Sequence, residues 1–225
     1  MNREILRGAV LGAMLAIGFG GAAHAETVAI KYAGPASVAT SNWQLPVKAS
    51  PDNYLLGSYT IQEQGGPSFL AYCTDPDQYA DGSFHPYQKA SLTTHLAATP
   101  TLQTDIEKLF GHAYQATQGD ALKSASFAVA LWEVWRDDGV LATGDVRTTG
   151  SSNALVIAGA QSLLDALPTW TATGTAYRLT VYSNYTDATH YQDFIAASIP
   201  EPESYALMLA GLGLLGIAAR RRRMR

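Results

Sequence analysis

One cysteine, a few histidines and some closely spaced carboxylates are the side chains of this 225-residue chain with chemistry in them. Cys73 is the single cysteine, so it has no intramolecular disulfide partner. It is free, paired with another molecule, or chemically used, and its plainest role is that of a small buried hydrophobe. Close behind it, Asp75, Asp77 and Asp81 place three carboxylates in seven residues, enough negative charge to draw Ca²⁺. Pro76 and the missing bidentate glutamate break the EF-hand pattern, however, and a solvated acidic loop is the simpler reading. His85, His95, His112 and His190 include no pair at zinc-ligand spacing, so neither a metal centre nor a cofactor is expected.

Glu133 lies in an otherwise apolar run and needs a partner, which Arg136 or Arg147 could supply. As an active-site acid it would need a second carboxylate opposite. Residues 26–199 lack Gly-x-Ser-x-Gly, the Gly-Lys-Ser/Thr phosphate loop and Gly-x-Gly-x-x-Gly, so a non-enzymatic role is expected. An extracellular hydrolase with an unfamiliar site stays open as an alternative. Trp132, Trp135 and Tyr114 could stack on a sugar ring, but their helical spacing fits core packing better. Trp43 and Trp170 stand in turn-rich stretches and are the better candidates for exposed contact.

These residues must be positioned by an α+β fold. Over 27–74, turn formers at Gly34-Pro35, 50–53 and 65–67 separate β-type runs at 28–32, 54–62 and 68–72, which predicts a small sandwich or barrel. The stretch 86–167 reads as helical, with about three helices. The first carries Leu102, Ile106, Leu109, Phe110 and Ala113 at helical spacing behind Thr99 as cap and Pro100 as first-turn proline. The second starts at Gly119-Asp120, is apolar nearly all round over 127–135, and stops at Asp137-Asp138-Gly139, as a central helix would. The third runs over 151–167 to Pro168, with Leu155, Leu163 and Leu167 expected inside. Strands return within 176–195, at 177–182 and 190–195.

With 47% hydrophobic and 15% charged residues, the chain has ample material for a core, which excludes a disordered tail. The two ends differ from the middle. Residues 1–25 run from Arg3 and Arg7 through an apolar stretch to Ala23-His24-Ala25, the small-x-small pattern that signal peptidase accepts, so export with cleavage after Ala25 is expected. The body, 26–199, then holds 8 basic against 16 acidic residues and is too acidic to bind nucleic acid through its charge. Any polysaccharide partner should be neutral, cationic or bridged by metal.

Residues 200–225 have three parts. Pro200, Glu201 and Pro202 form a segment that cannot join a helix and stays open to an enzyme. An apolar run at 205–219 would make a transmembrane helix of about 22 Å, short for a hydrocarbon core of about 30 Å. Arg220, Arg221, Arg222, Arg223 and Arg225 would hold the end on the cytoplasmic side of the inner membrane.

This three-part order resembles the PEP-CTERM sorting signal of Gram-negative bacteria that make extracellular polysaccharide. The resemblance implies recognition by exosortase, a membrane cysteine protease-transferase, cleavage near 200–202, and delivery to the envelope surface or to an exopolysaccharide or biofilm matrix. The body, over about 54–195, resembles the thioester-domain scaffold. In that family a Tyr-Cys-x-Asp strand end faces a helix bearing Gln-x-Ala-(Ile/Leu)-Trp, and the cysteine sulfur displaces ammonia from the glutamine carboxamide. Tyr72, Cys73, Asp75, Ala130, Leu131 and Trp132 fit the pattern, while Ala128 occupies the glutamine position. A methyl group is no acyl donor, so the resemblance implies the scaffold with its bond lost. A covalent adhesin using Cys73 with another glutamine, such as Gln78, Gln115 or Gln118, is the alternative.

Overall fold

The computed structural model describes residues 26–45, 52–172, 177–184, 190–199 and 211–212. Its strands are β1 (Glu26–Gln44), β2 (Asp52–Glu63), β3 (Ser68–Cys73), β4 (His85–Ser91), β5 (Arg147–Thr148), β6 (Arg178–Ser183) and β7 (Phe194–Ser198). Its helices are α1 (Leu92–His95), α2 (Pro100–Ala113), α3 (Ala121–Arg136) and α4 (Ala154–Ala166), with short 3₁₀ turns after α2 and α4. The α+β class expected from the sequence is the one observed.

All strand pairs are antiparallel, in the order β2-β3-β7-β6-β4-β1-β5, and β1 also pairs with β2. Six strands therefore close into a ring, a barrel rather than a sandwich, with β5 appended. Closure depends on the length of β1, which is 19 residues long and bends at register shifts around Gly34 and Pro35. Its start pairs with β4 and its remainder with β2, which removes the open edges a flat sheet would leave. Gly57 makes the second contact possible. Its φ is +136°, and a Cβ there would meet the Ser37 carbonyl oxygen at 2.1 Å, so only glycine fits.

The helices pack around α3, which lies against β1 and β2 and is flanked by α2 and α4. The Asp120 carboxylate caps α3 by accepting from the Lys123 N–H at 3.0 Å. Every residue from Ser124 to Glu133 is buried, as an all-round apolar run requires. Tyr72, Phe110, Tyr114 and Phe127 form one aromatic cluster, with ring centroids 4.7 to 6.4 Å apart, joining β3, α2 and α3.

Several expectations shift. β4 and β5 fall inside the stretch expected to be helical. β4 has little β-branched character of its own and is held extended by pairing with β1 on one side and β6 on the other. Thr99 does not cap α2 with its side chain, because its hydroxyl donates to the Leu96 carbonyl. On α4 the inner face is Val156, Ala160 and Leu164, while Leu155 is 65% exposed. That helix is apolar on several sides, so its inner stripe was ambiguous by one residue. Trp43, expected at the surface, is fully buried, and Trp170 is half-buried and stacked on His112 at 4.8 Å.

Among the described residues no helix is long and apolar enough to cross a membrane. The expected signal segment with Ala23 and Ala25, the motif Pro200 to Pro202, and the arginine cluster lie outside the described residues. So does the expected span 205–219, apart from Gly211 and Leu212, which are helical.

Candidate functional site

The end of β3 and the last two turns of α3 bring most of the singled-out residues together. Cys73 ends β3, where it pairs with Phe194 of β7, and is buried. Its carbonyl oxygen accepts from the Trp132 indole N–H at 2.9 Å. Burial above all, with the neighbouring Asp75 carboxylate, pushes the Cys73 thiol well above its ordinary range; the Asp75 N–H and the Trp132 indole offset only part of this. The thiol is thus protonated and enclosed, the opposite of an activated nucleophile.

Ala128 is one turn before Trp132 on α3, on the same face by helical spacing, and is buried. The strand end is fixed from below by Ser124, whose hydroxyl bonds the Tyr72 hydroxyl at 2.9 Å and accepts from the Ser58 N–H at 3.0 Å. Gln115 accepts from the Tyr177 hydroxyl, and Gln118 donates to the Tyr114 carbonyl and the Thr117 hydroxyl. Gln78 instead lines a cleft of about 240 Å³ beside Trp132, with Tyr32, Tyr54, Asp77 and Gln192 among its other walls.

The carboxylates of the acidic loop after Cys73 meet basic side chains of this chain. Arg136 binds both Asp75 and Asp77, the latter at 3.0 Å, and so clamps the loop to the last turn of α3. Asp81 turns away and pairs with His85 at 2.6 Å, a contact that holds the Asp81 carboxyl below its ordinary value. The three carboxylates are thereby separated. The histidines are also dispersed. His85 stacks on Tyr191, His95 lies near Trp135, His112 contacts the Thr171 carbonyl and His190 the Asn184 carbonyl.

Trp132 and Tyr114 are buried, so the imagined sugar platform with Trp135 does not exist as an exposed surface.

Glu133 did not find the partner expected of it. Arg136 is committed to Asp75 and Asp77, and Arg147 donates to the Gly144 carbonyl. Both Glu133 carboxylate oxygens are buried without a hydrogen-bond partner. Burial first, then the charges of Asp137 and Asp138, push its pKa up to about 8; the N–H groups of Gly139 and Val140 offset part of this without reaching hydrogen-bond geometry. One oxygen from each of Glu133, Asp137 and Asp138 lies within 4.8 Å of the others. This convergence was missed in the sequence because Asp137-Asp138-Gly139 reads as a helix stop. The four-residue step from Glu133 to Asp137 was the available signal.

Residues 198–223 match the PEP-CTERM protein-sorting motif. No curated protein sequence matches the chain significantly. Among solved structures, the N-terminal domain of the Streptococcus pyogenes pilus tip adhesin Cpa is similar at a TM-score of 0.44 and 13% identity, covering 71% of this chain and 94% of that one.

Proposed function

We propose that this chain is a non-enzymatic exported protein, sorted by exosortase to the cell surface or the extracellular polysaccharide matrix, where its body acts as a structural or adhesive component. The PEP-CTERM motif at residues 198–223 carries this reading. Its three physical parts suit a processing enzyme in the membrane: a double-proline segment that cannot fold into the following helix, a short apolar run, and a basic end that stays cytoplasmic. In this reading signal peptidase removes residues 1–25, exosortase cuts near Pro200 to Pro202, and the acidic body is left outside.

The body works without covalent chemistry in this proposal. Ala128 offers no carboxamide for a thioester, and Cys73 is a buried, protonated thiol whose backbone carbonyl anchors Trp132. Intact mass spectrometry of protein recovered from the surface tests both parts at once. The expected species begins after Ala25, lacks Arg220 to Arg225, and yields one titratable thiol in denaturant. A retained arginine tail, or identical species in cells without exosortase, overturns the sorting assignment. A mass short by one ammonia, with no thiol until an amine is added, would establish the covalent adhesin instead.

A further inference from the structure

Three acidic side chains crowd the C-terminal end of α3 with no basic side chain paired to any of them among the described residues. Glu133 is fully buried, Asp137 half-buried and Asp138 exposed. The placement is unfavourable twice over. Like charges repel at this separation, and the end of a helix carries the negative pole of its dipole, which disfavours carboxylates.

Neither Glu133 oxygen receives a hydrogen bond, so its charge is buried with no donor to compensate it. A buried, unpartnered carboxylate aimed at two others is the arrangement a cation resolves. We propose that Glu133, Asp137 and Asp138 form a Ca²⁺ site that ties the loop 137–146 to the end of α3.

The spacing suits one ion. Oxygens on opposite sides of Ca²⁺, each at about 2.4 Å, are about 4.8 Å apart, the limit within which these three lie. The two aspartates are held in place by the loop. Asp137 accepts from the Val146 N–H at 2.6 Å, while Asp138 accepts from the Val140 N–H at 2.9 Å and the Thr143 hydroxyl at 3.1 Å. Each carboxylate keeps lone pairs for a metal.

Gly144 completes the cradle. Its φ is +76°, and a Cβ there would come within 2.1 to 2.5 Å of the Asp137 carboxylate. The donors are all oxygen, with no histidine or cysteine, which selects a hard cation over zinc or copper. An irregular loop with one exposed ligand favours Ca²⁺, which accepts variable geometry and completes its shell with water, over the strict octahedron of Mg²⁺. Asp138 supplies the route of entry.

Calorimetry on the full chain, stripped with EDTA, tests the site. One Ca²⁺ should bind per chain, with a dissociation constant on the order of 0.1–1 mM as in extracellular modules. The melting midpoint should rise by about 3–10 °C in 10 mM Ca²⁺, and Mg²⁺ should not reproduce this. Asp138→Asn, an exposed change that spares the core, should weaken binding at least about tenfold. Glu133→Gln should abolish the calcium response while melting no lower than calcium-free wild type. No heat and no thermal shift, an equal response to Mg²⁺, or undiminished binding by Asp138→Asn would each overturn the proposal, the last by placing the ion elsewhere. Should Glu133→Gln fail to fold, the Asp138→Asn result decides.

Discussion

Arg136, in the last turn of α3, reaches across to Asp75 and Asp77, whereas Glu133, in the same turn, faces Asp137 and Asp138 and is paired with no basic side chain among the described residues. Both are clusters of carboxylates around one helix end. The first is paired from within the chain, by a guanidinium whose fork serves two partners. The second is left to the medium. The difference teaches that an acidic cluster is informative only when its counter-charge has been sought: the group that looked like a cation loop in the sequence is satisfied, and the group that looked like a helix stop is not.

The comparison can be broken most strongly at Trp132, which anchors the strand end before the first cluster and directly precedes Glu133 of the second. Trp132→Ala removes a buried indole and its hydrogen bond to Cys73, so a loss of about 3–5 kcal/mol in denaturant unfolding is expected. A loss near zero would mean that the indole does not hold the β3 end against α3.

Arg136→Ala should cost less, on the order of 2–3 kcal/mol, because the guanidinium is partly exposed although Asp77 beside it is only 8% exposed. That cost should be the same in EDTA and in calcium. A calcium-dependent cost would show that the two clusters act as one.

Gly144→Ala sharpens the contrast from the other side. Its positive φ and the clash with the Asp137 carboxylate should cost about 1–2 kcal/mol in EDTA, by unfolding followed through tryptophan fluorescence, with a larger deficit when calcium is present. An equal deficit in both buffers would separate the glycine from the cation.

Much of the fold was legible from local pattern. The all-round apolar run of α3 announced a central helix, and turn residues bracketed β2 and β3. β4 was not legible, since a polar strand clamped between two others owes its shape to its neighbours, and neither was the inner face of α4, where several faces are apolar. In the candidate site, that the Tyr72-Cys73-x-Asp75 end faces the helix bearing Trp132 was implied only by the resemblance to the thioester-domain scaffold, not by periodicity or spacing. That Arg136 would choose Asp75 and Asp77 over Glu133 was not legible, because a residue three positions away and residues some sixty positions away compete on equal terms once the chain is folded.

By itself, then, the sequence determined what is read along the chain: the apolar periodicities, the lone cysteine, and the ordered proline, apolar and arginine segments that a membrane enzyme meets as a linear motif. Only the tertiary structure decided the closing of six strands into a ring, the burial of Trp43, and which carboxylates were paired with a guanidinium. Linear signals depend on neighbours fixed by covalent bonds, whereas burial and charge pairing depend on distances that exist only after folding.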